Sequence, residues 1–338
     1  MVAKKKTMRE LLAEEKTIIL PEVYDFRSQR AAEFCGFKAT LLSSTEFACG
    51  YTGIPDLGVI TQDEEVFISE RISRASTIPL CIDAEDGFGG PLNTYYTAYR
   101  LTHLGGAGGI LLTDEINGCP ASRQEAKQRV TNIKVALAKI RAAAEGVSGT
   151  DSIVIARTDL NILKDFDETV ERCNLFYEAG ADVVFPLTLN DIKGCRDERH
   201  EFLKKFSDQV PGYKWYPDLS YTDGEPDVDL DVIADMGFCL IGVHYLLESA
   251  MLFMIDVGLN IMKNKDNCYV RTIPTRFPEA CKLIAGHDLS QIQKGGKWWE
   301  LEKRFWGEEN MDESTTYRVL GMSEEIGDFT AGVRKEGR

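Results

Sequence analysis

The sequence predicts an α/β protein built as a (β/α)8 barrel of the TIM type, on three observations. From residue 17 onward, short β-rich runs alternate with amphipathic helical stretches at the spacing of βα units. The runs are near-continuously apolar, as parallel strands covered on both faces must be. There are eight of them, and eight strand–helix repeats satisfy the right-handed crossover rule most simply by closing on themselves. An open doubly wound sheet is the competing arrangement. It loses support because "PEVYDFRS" stands where a GxGxxG phosphate loop would follow the first strand.

Taken in order, "TMRELLAEE" predicts a short helix ahead of the first strand, "TIILPEVYD". The strands "ATLLSS", "PLCIDAE", "GILLTDE", "SIVIARTD", "DVVFPL", "YKWYPDL" and "CLIGVH" follow. Between them lie helical patterns such as "RSQRAAEFCGF", "NIKVALAKIRAAAEG" and "DETVERCNLFYEAGA", several ending on Gly as helix C-termini do. The barrel domain with its N-terminal helix is expected over 1–260, and a C-terminal helical extension and tail over 261–338. The apolar helix "YLLESAMLFMIDVGLNIM" after the eighth strand has more apolar surface than a barrel's outer ring leaves wet, which points to a subunit contact. "KGGKWWELEKRFWGEENMDES" reads as a tail helix followed by a polar end.

A formal net charge of −15 argues against nucleic-acid binding, which needs clustered Lys and Arg against phosphate. No apolar run is long enough for a membrane span, and the N-terminal lysines lack a following hydrophobic segment, so a cytoplasmic protein is expected. The nine cysteines show no CxxC spacing and read mostly as buried thiols. The four histidines form no HxxxH or HExxH pair, which excludes a familiar zinc pattern.

In a barrel the strand C-termini carry the chemistry. Here they exit on Tyr24 and Asp25, on Ser43, Ser44 and Thr45, on Asp83, Glu85 and Asp86, on Asp114 and Glu115, and on Arg157 and Asp159. Carboxylates that converge repel unless a cation sits among them, and oxygen-only ligands select Mg²⁺ or Mn²⁺. The glycines after Asp86 would let the backbone turn around that ion, although Asp86 serves equally as a helix cap. Arg157 ends an apolar strand, where it would pair with a substrate carboxylate or phosphonate, or with Asp159 or Glu85 as a structural ion pair. Cys119 lies in the turn-rich loop "EINGCPASRQ" after the fourth strand, where a thiol could act as acid or base.

These residues in this order resemble the isocitrate lyase and phosphoenolpyruvate mutase superfamily. The likeness runs from about residue 17 to 260 and rests on "PEVYDFRSQRAAEFCGFKA", "GYTGIPDLGVIT", "IDAEDGFGG", "IARTD", "YEAGADVVF" and "ADMGFCLIGVHYLLESAM". The resemblance implies a barrel that binds Mg²⁺, stabilises the enolate of a small 2-oxo acid, and assembles as a homotetramer by exchanging a C-terminal helix. It further implies Asp83 as direct metal ligand, Glu85 and Asp56 as holders of the metal's water, Arg157 on the substrate, and Ser43 or Ser44 on a substrate carboxylate.

Departures accompany the matches. The second Asp of the family's metal pair is Glu85, and the family's Glu after strand four falls on Thr113, leaving Asp114 or Glu115 for the metal shell. The lyase loop KKCGH is absent, though Cys119 falls near its cysteine, and Leu187 stands where a polar residue is expected after strand six. Fewer polar groups on the substrate side suggest a substrate with an apolar arm. The expected activity is a Mg²⁺-dependent carbon–carbon lyase on a substituted 2-hydroxy or 2-oxo acid. Cys119 would protonate the enolate carbon, or a base near Tyr24 would remove a hydroxyl proton. Competing expectations are a phosphoenolpyruvate mutase or phosphonopyruvate hydrolase, an oxaloacetate-type decarboxylase or hydrolase, and a silent ligand-binding or scaffold homologue.

Overall fold

The computed structural model describes residues 5–116, 130–222, 225–269, 297–307 and 309. The barrel strands are Ile18–Val23 (β1), Thr40–Leu42 (β2), Leu80–Asp83 (β3), Gly109–Thr113 (β4), Ile153–Thr158 (β5), Val183–Pro186 (β6), Tyr213–Tyr216 (β7) and Phe238–Val243 (β8). They are parallel and close in the order β1-β8-β7-β6-β5-β4-β3-β2, so the expected TIM-type barrel is present.

The helices are Met8–Glu14 (α1), Phe26–Cys35 (α2), Ser44–Phe47 (α3), Gln62–Ala75 (α4), Pro91–Tyr99 (α5), Ile133–Gly146 (α6), Phe166–Glu178 (α7), Arg196–Ser207 (α8), Leu230–Asp235 (α9), Leu246–Asn264 (α10) and Lys297–Trp306 (α11). Their starts are set locally. Thr7 with Glu10, and Thr61 with Glu64, form reciprocal capping boxes at α1 and α4, while Asp25 caps α2 through the Ser28 amide. Asp25 is thereby committed to a helix rather than to the mouth of the barrel.

Side chains alternate along each strand, and the two buried clusters separate accordingly. Leu20, Leu41, Cys81, Leu111, Ile155, Phe185, Trp215 and Leu240 fill the barrel interior together with Met8 and Leu11 of α1, which plug its lower end. Their neighbours Leu42, Ile82, Leu112, Ala156, Val184 and Ile241 face outward and pack under the helices. A period of two carries the inward direction one step up from Leu20 to Glu22, from Leu41 to Ser43 and from Cys81 to Asp83. It likewise leads from Leu111 to Thr113, from Ile155 to Arg157, and from Leu240 through Gly242 to His244. The top layer of the interior is therefore polar by the same alternation that makes the layers below it apolar.

The chain divides into two compact units, Met1–Ala250 and Met251–Arg338. The first contains every strand of the barrel. In the second, the remainder of α10 exposes Met251, Leu252, Phe253, Met254, Leu259 and Met262. Among the described residues no helix is long and apolar enough to cross a membrane.

Candidate active site

The upper interior opens into a cavity of about 420 Å³, within the range of small-molecule sites. Ser43, Asp56, Asp83, Glu85, Glu115 and Arg157 all line it, so most of the residues singled out in the sequence converge on one space. Phe185, Leu187 and Leu111 give it an apolar side, as the substitution at Leu187 suggests. The wall on β1, β7 and β8 carries Glu22, Asp218 and His244 beside Trp215 and Pro217, so the cavity is not uniformly apolar.

Asp83 is held at both oxygens. Ser44 Oγ–H donates to Oδ2 at 3.2 Å and the Glu85 amide donates to Oδ1 at 3.2 Å. This separates the two serines: Ser44 positions Asp83, whereas Ser43 lines the cavity. Glu85 reaches the cavity because its backbone turns through φ 51°, in the left-handed region. That conformation costs a non-glycine residue on the order of 1–3 kcal/mol. Gly87 follows at φ 86°, where a Cβ would meet Thr94 Oγ1 at 2.4 Å, so the glycine directly after the acids is required by the turn itself. Asp86 resolves against the metal reading: it accepts the Phe88 amide at 2.9 Å and pairs with Lys139 Nζ at 3.0 Å, while α5 is capped by Gly90.

Burial raises both Asp83 and Glu85 above the ordinary carboxylate range. Arg157 partly offsets this for Asp83, whereas Asp83 and Asp56 push Glu85 further up. Glu65 on α4, a buried acid that the sequence reading passed over, is raised by its own burial and by these two charges. Glu85 Oε1 is buried without a hydrogen-bond partner. A hard divalent cation answers both the repulsion and the unpartnered oxygen. No group of three or more His, Cys, Asp or Glu among the described residues is gathered as a metal site. Mg²⁺ itself keeps several waters and takes one or two carboxylates plus substrate oxygens.

A pH dependence follows. The native carboxyls hold protons that the unfolded chain has released above its ordinary values of 3.8 and 4.5, so stability falls as pH rises from that range toward neutrality. Thermal unfolding in a chelator is expected to show a midpoint lower at pH 7.5 than at pH 5.5, with Mg²⁺ recovering more of it at the higher pH. A Mg²⁺ effect independent of pH would count against the carboxylate pair as the binding site.

Arg157 is engaged by protein carboxylates: Nε donates to Asp159 Oδ1 at 2.6 Å, and Nη2 donates to Asp159 Oδ2 at 2.9 Å and to Glu115 Oε2 at 3.3 Å. Burial opposes its charge, but Asp159, with Asp83 and Glu85, raises it above its usual value. Nη1 makes no hydrogen bond among the described residues. Glu115 thus stands against the guanidinium. Asp114 faces elsewhere, accepting from Arg172 Nη1 at 3.0 Å and from the Asp159 amide at 3.0 Å. Thr113 donates to Asp159 Oδ1 at 3.2 Å, so the residue standing at the family's Glu helps hold the partner of Arg157. Tyr24 is not brought to the cavity. Its ring packs over Gly50 and the outer core. Cys119 lies outside the described residues.

Glu22 and His244 were missed. His244 Nε2 lies 3.1 Å from Glu22 Oε1 and its Nδ1 3.7 Å from Glu46 Oε1. Burial opposes protonation of His244, but Glu46, Glu22 and Asp218 outweigh it and raise it to about 9. Burial raises Glu22 to about 7, against the pull of His244 and a hydrogen bond from Ser43. Strand alternation was the signal that could have found them, since Glu22 is two residues above Leu20 and His244 four above Leu240.

A family model described as phosphoenolpyruvate phosphomutase matches residues 8–252. The chain belongs to the phosphoenolpyruvate mutase and isocitrate lyase superfamily. This superfamily member is 32% identical over 306 residues to petal death protein of Dianthus caryophyllus, covering 89% of each chain. It is also 32% identical over 190 residues to a 2-methylisocitrate lyase of Aeropyrum pernix, covering 56% of this chain and 60% of that one. A solved structure of oxaloacetate acetylhydrolase in complex with the inhibitor 3,3-difluorooxalacetate matches with a TM-score of 0.69 over 87% of this chain and 98% of that one. At 23% identity the last likeness shows the fold alone. Similar proteins in the superfamily include carbon–carbon lyases, decarboxylases, hydrolases and mutases.

Proposed function

We propose that this superfamily member is a Mg²⁺-dependent carbon–carbon lyase that cleaves a substituted 2-hydroxy or 2-oxo carboxylic acid through an enolate. The observation that carries the reading is the convergence of Asp83, Glu85 and Arg157 on one cavity. The lyases among its relatives favour bond cleavage between carbons over the other chemistries of the superfamily.

Asp83 and Glu85 would hold the cation, with Asp56 and Glu115 near enough to the same cavity to order its water. When bound, Mg²⁺ would supply Lewis-acid polarisation of the substrate's carboxylate and adjacent oxygen. Arg157 would place positive charge where negative charge grows, its fork kept rigid by Asp159. Ser43, lining the cavity, would turn its hydroxyl from Glu22 to the substrate carboxylate, and Ser44 would keep Asp83 aimed. Cys119 Sγ–H would return a proton to the enolate carbon after the bond breaks. Tyr24, off the cavity, is assigned no step. The exposed apolar residues of α10 support a subunit contact through this helix, and we take the assembly as a homotetramer formed by its exchange, in a cytoplasmic enzyme.

Calorimetry with oxalate, a mimic of a pyruvate enolate, tests the reading. Binding is expected with Mg²⁺ present and is expected to vanish in a chelator. Failure of oxalate to bind in either condition would remove the enolate site and leave the scaffold alternative.

A further inference from the structure

We infer that the β1–β7–β8 wall of the cavity is an acid-rich subsite that selects a substrate whose distal arm carries a hydroxyl group and rejects one whose arm ends in a carboxylate. The inference rests on the enolate reading above and extends it to the substrate class.

Position comes first. In the closed strand order β5 lies four strands from β1, so Glu22 stands across the barrel mouth from Arg157. Pro21 pairs with Val243, which sets Glu22 and His244 side by side at the top of adjacent strands. Asp218, two residues beyond β7, accepts the His244 backbone N–H and lines the same wall.

Charge comes next. Three carboxyl groups, of Glu22, Glu46 and Asp218, surround a single imidazole. Both ring nitrogens already face protein carboxylates. Even with the ring protonated, acid exceeds base on this wall, and the guanidinium opposite is engaged by Asp159 and Glu115. A further carboxylate entering here would meet like charge in a partly desolvated space, which is strongly unfavourable. An alkyl arm would displace water from the wall's carboxylates and offer no hydrogen bond in its place.

Hydrogen-bonding capacity then distinguishes the remaining arms. Trp215 Nε1–H is buried without a partner, and the residue, only 2% exposed, lines this cavity. Asn190 Oδ1, in another lining residue, is likewise buried and unpartnered. A hydroxyl can donate to an acid or to Asn190 and accept from the indole. An ammonium can only donate.

The test uses oxamate, an enolate mimic, and three derivatives differing in the arm: N-(2-hydroxyethyl)oxamate, N-propyloxamate and N-(carboxymethyl)oxamate. Their affinities are measured by calorimetry in Mg²⁺. The hydroxyethyl derivative is expected to bind about tenfold more tightly than the propyl one, and the carboxymethyl derivative is expected to be the weakest. Glu22→Met should shrink the hydroxyethyl-to-propyl ratio to about threefold or less. The ratio is taken within each protein, so a general loss of affinity does not count. Should Glu22→Met not fold, Glu22→Gln is expected to relax the exclusion of the carboxymethyl arm by about tenfold. If oxamate binds while the propyl or carboxymethyl derivative equals or exceeds the hydroxyethyl one, this inference falls and the enolate site stands. If oxamate itself does not bind, both fall.

Discussion

Asp83→Asn is expected to reduce Mg²⁺-dependent turnover by about a thousandfold or more, the scale of losing several kcal/mol of charge stabilisation, without unfolding the protein. The substitution changes charge with little change of shape. Asn can still accept the Glu85 amide, and Ser44 Oγ can rotate to accept from the new amide. One of two buried acids that repel each other is removed, so stability in chelator should hold or rise. What should disappear is the added thermal stability on Mg²⁺ addition, because that gain equals the cation's preference for the native state. Turnover and metal-induced stabilisation, read on the same preparation, therefore separate a ligand from a merely structural acid. Undiminished Mg²⁺ stabilisation in the variant would show that the cation binds elsewhere, whatever happens to the rate.

The barrel was legible because eight apolar runs and their helices need only a local period and a handedness rule to specify it. The candidate site was legible where a polar residue ended a strand, as at Asp83 and Arg157. It was misread where a polar residue was already engaged by another part of the protein. Asp25 caps a helix, Asp86 closes a turn and binds Lys139, and Asp114 is held by Arg172, fifty-eight residues away in sequence. The Lys139 and Arg172 partners are both long-range contacts that no local pattern contains. Glu22 was passed over for the opposite reason. The exit of β1 was placed at Tyr24 and Asp25, yet alternation from Ile18 and Leu20 points Glu22 into the interior. The same count from Leu240 reaches His244. Thr113 and Leu187, read as losses of polar function, prove to be respectively a support for Asp159 and part of an apolar side of the cavity.

Arg157→Met is expected to lower kcat/KM by about 100- to 1,000-fold, the range for removing one group that stabilises charge in the transition state. It should also destabilise the protein by about 3–5 kcal/mol, as breaking a buried ion pair does. The second effect arises because Asp159, 3% exposed at its side chain, loses a bidentate partner and Glu115 loses its contact. Stability and catalysis are thus confounded in the single variant. Adding Asp159→Asn removes the charge that Arg157 was neutralising while keeping an oxygen for the Thr113 hydroxyl. The double variant should regain at least half of the lost stability, measured by urea unfolding, because the buried group that lost its guanidinium no longer carries charge. It should regain none of the activity if Arg157 acts on the substrate, since the cationic fork is still absent from the cavity. Recovery of turnover together with stability would make Arg157 a structural counter-ion and transfer the anion-binding role to another group.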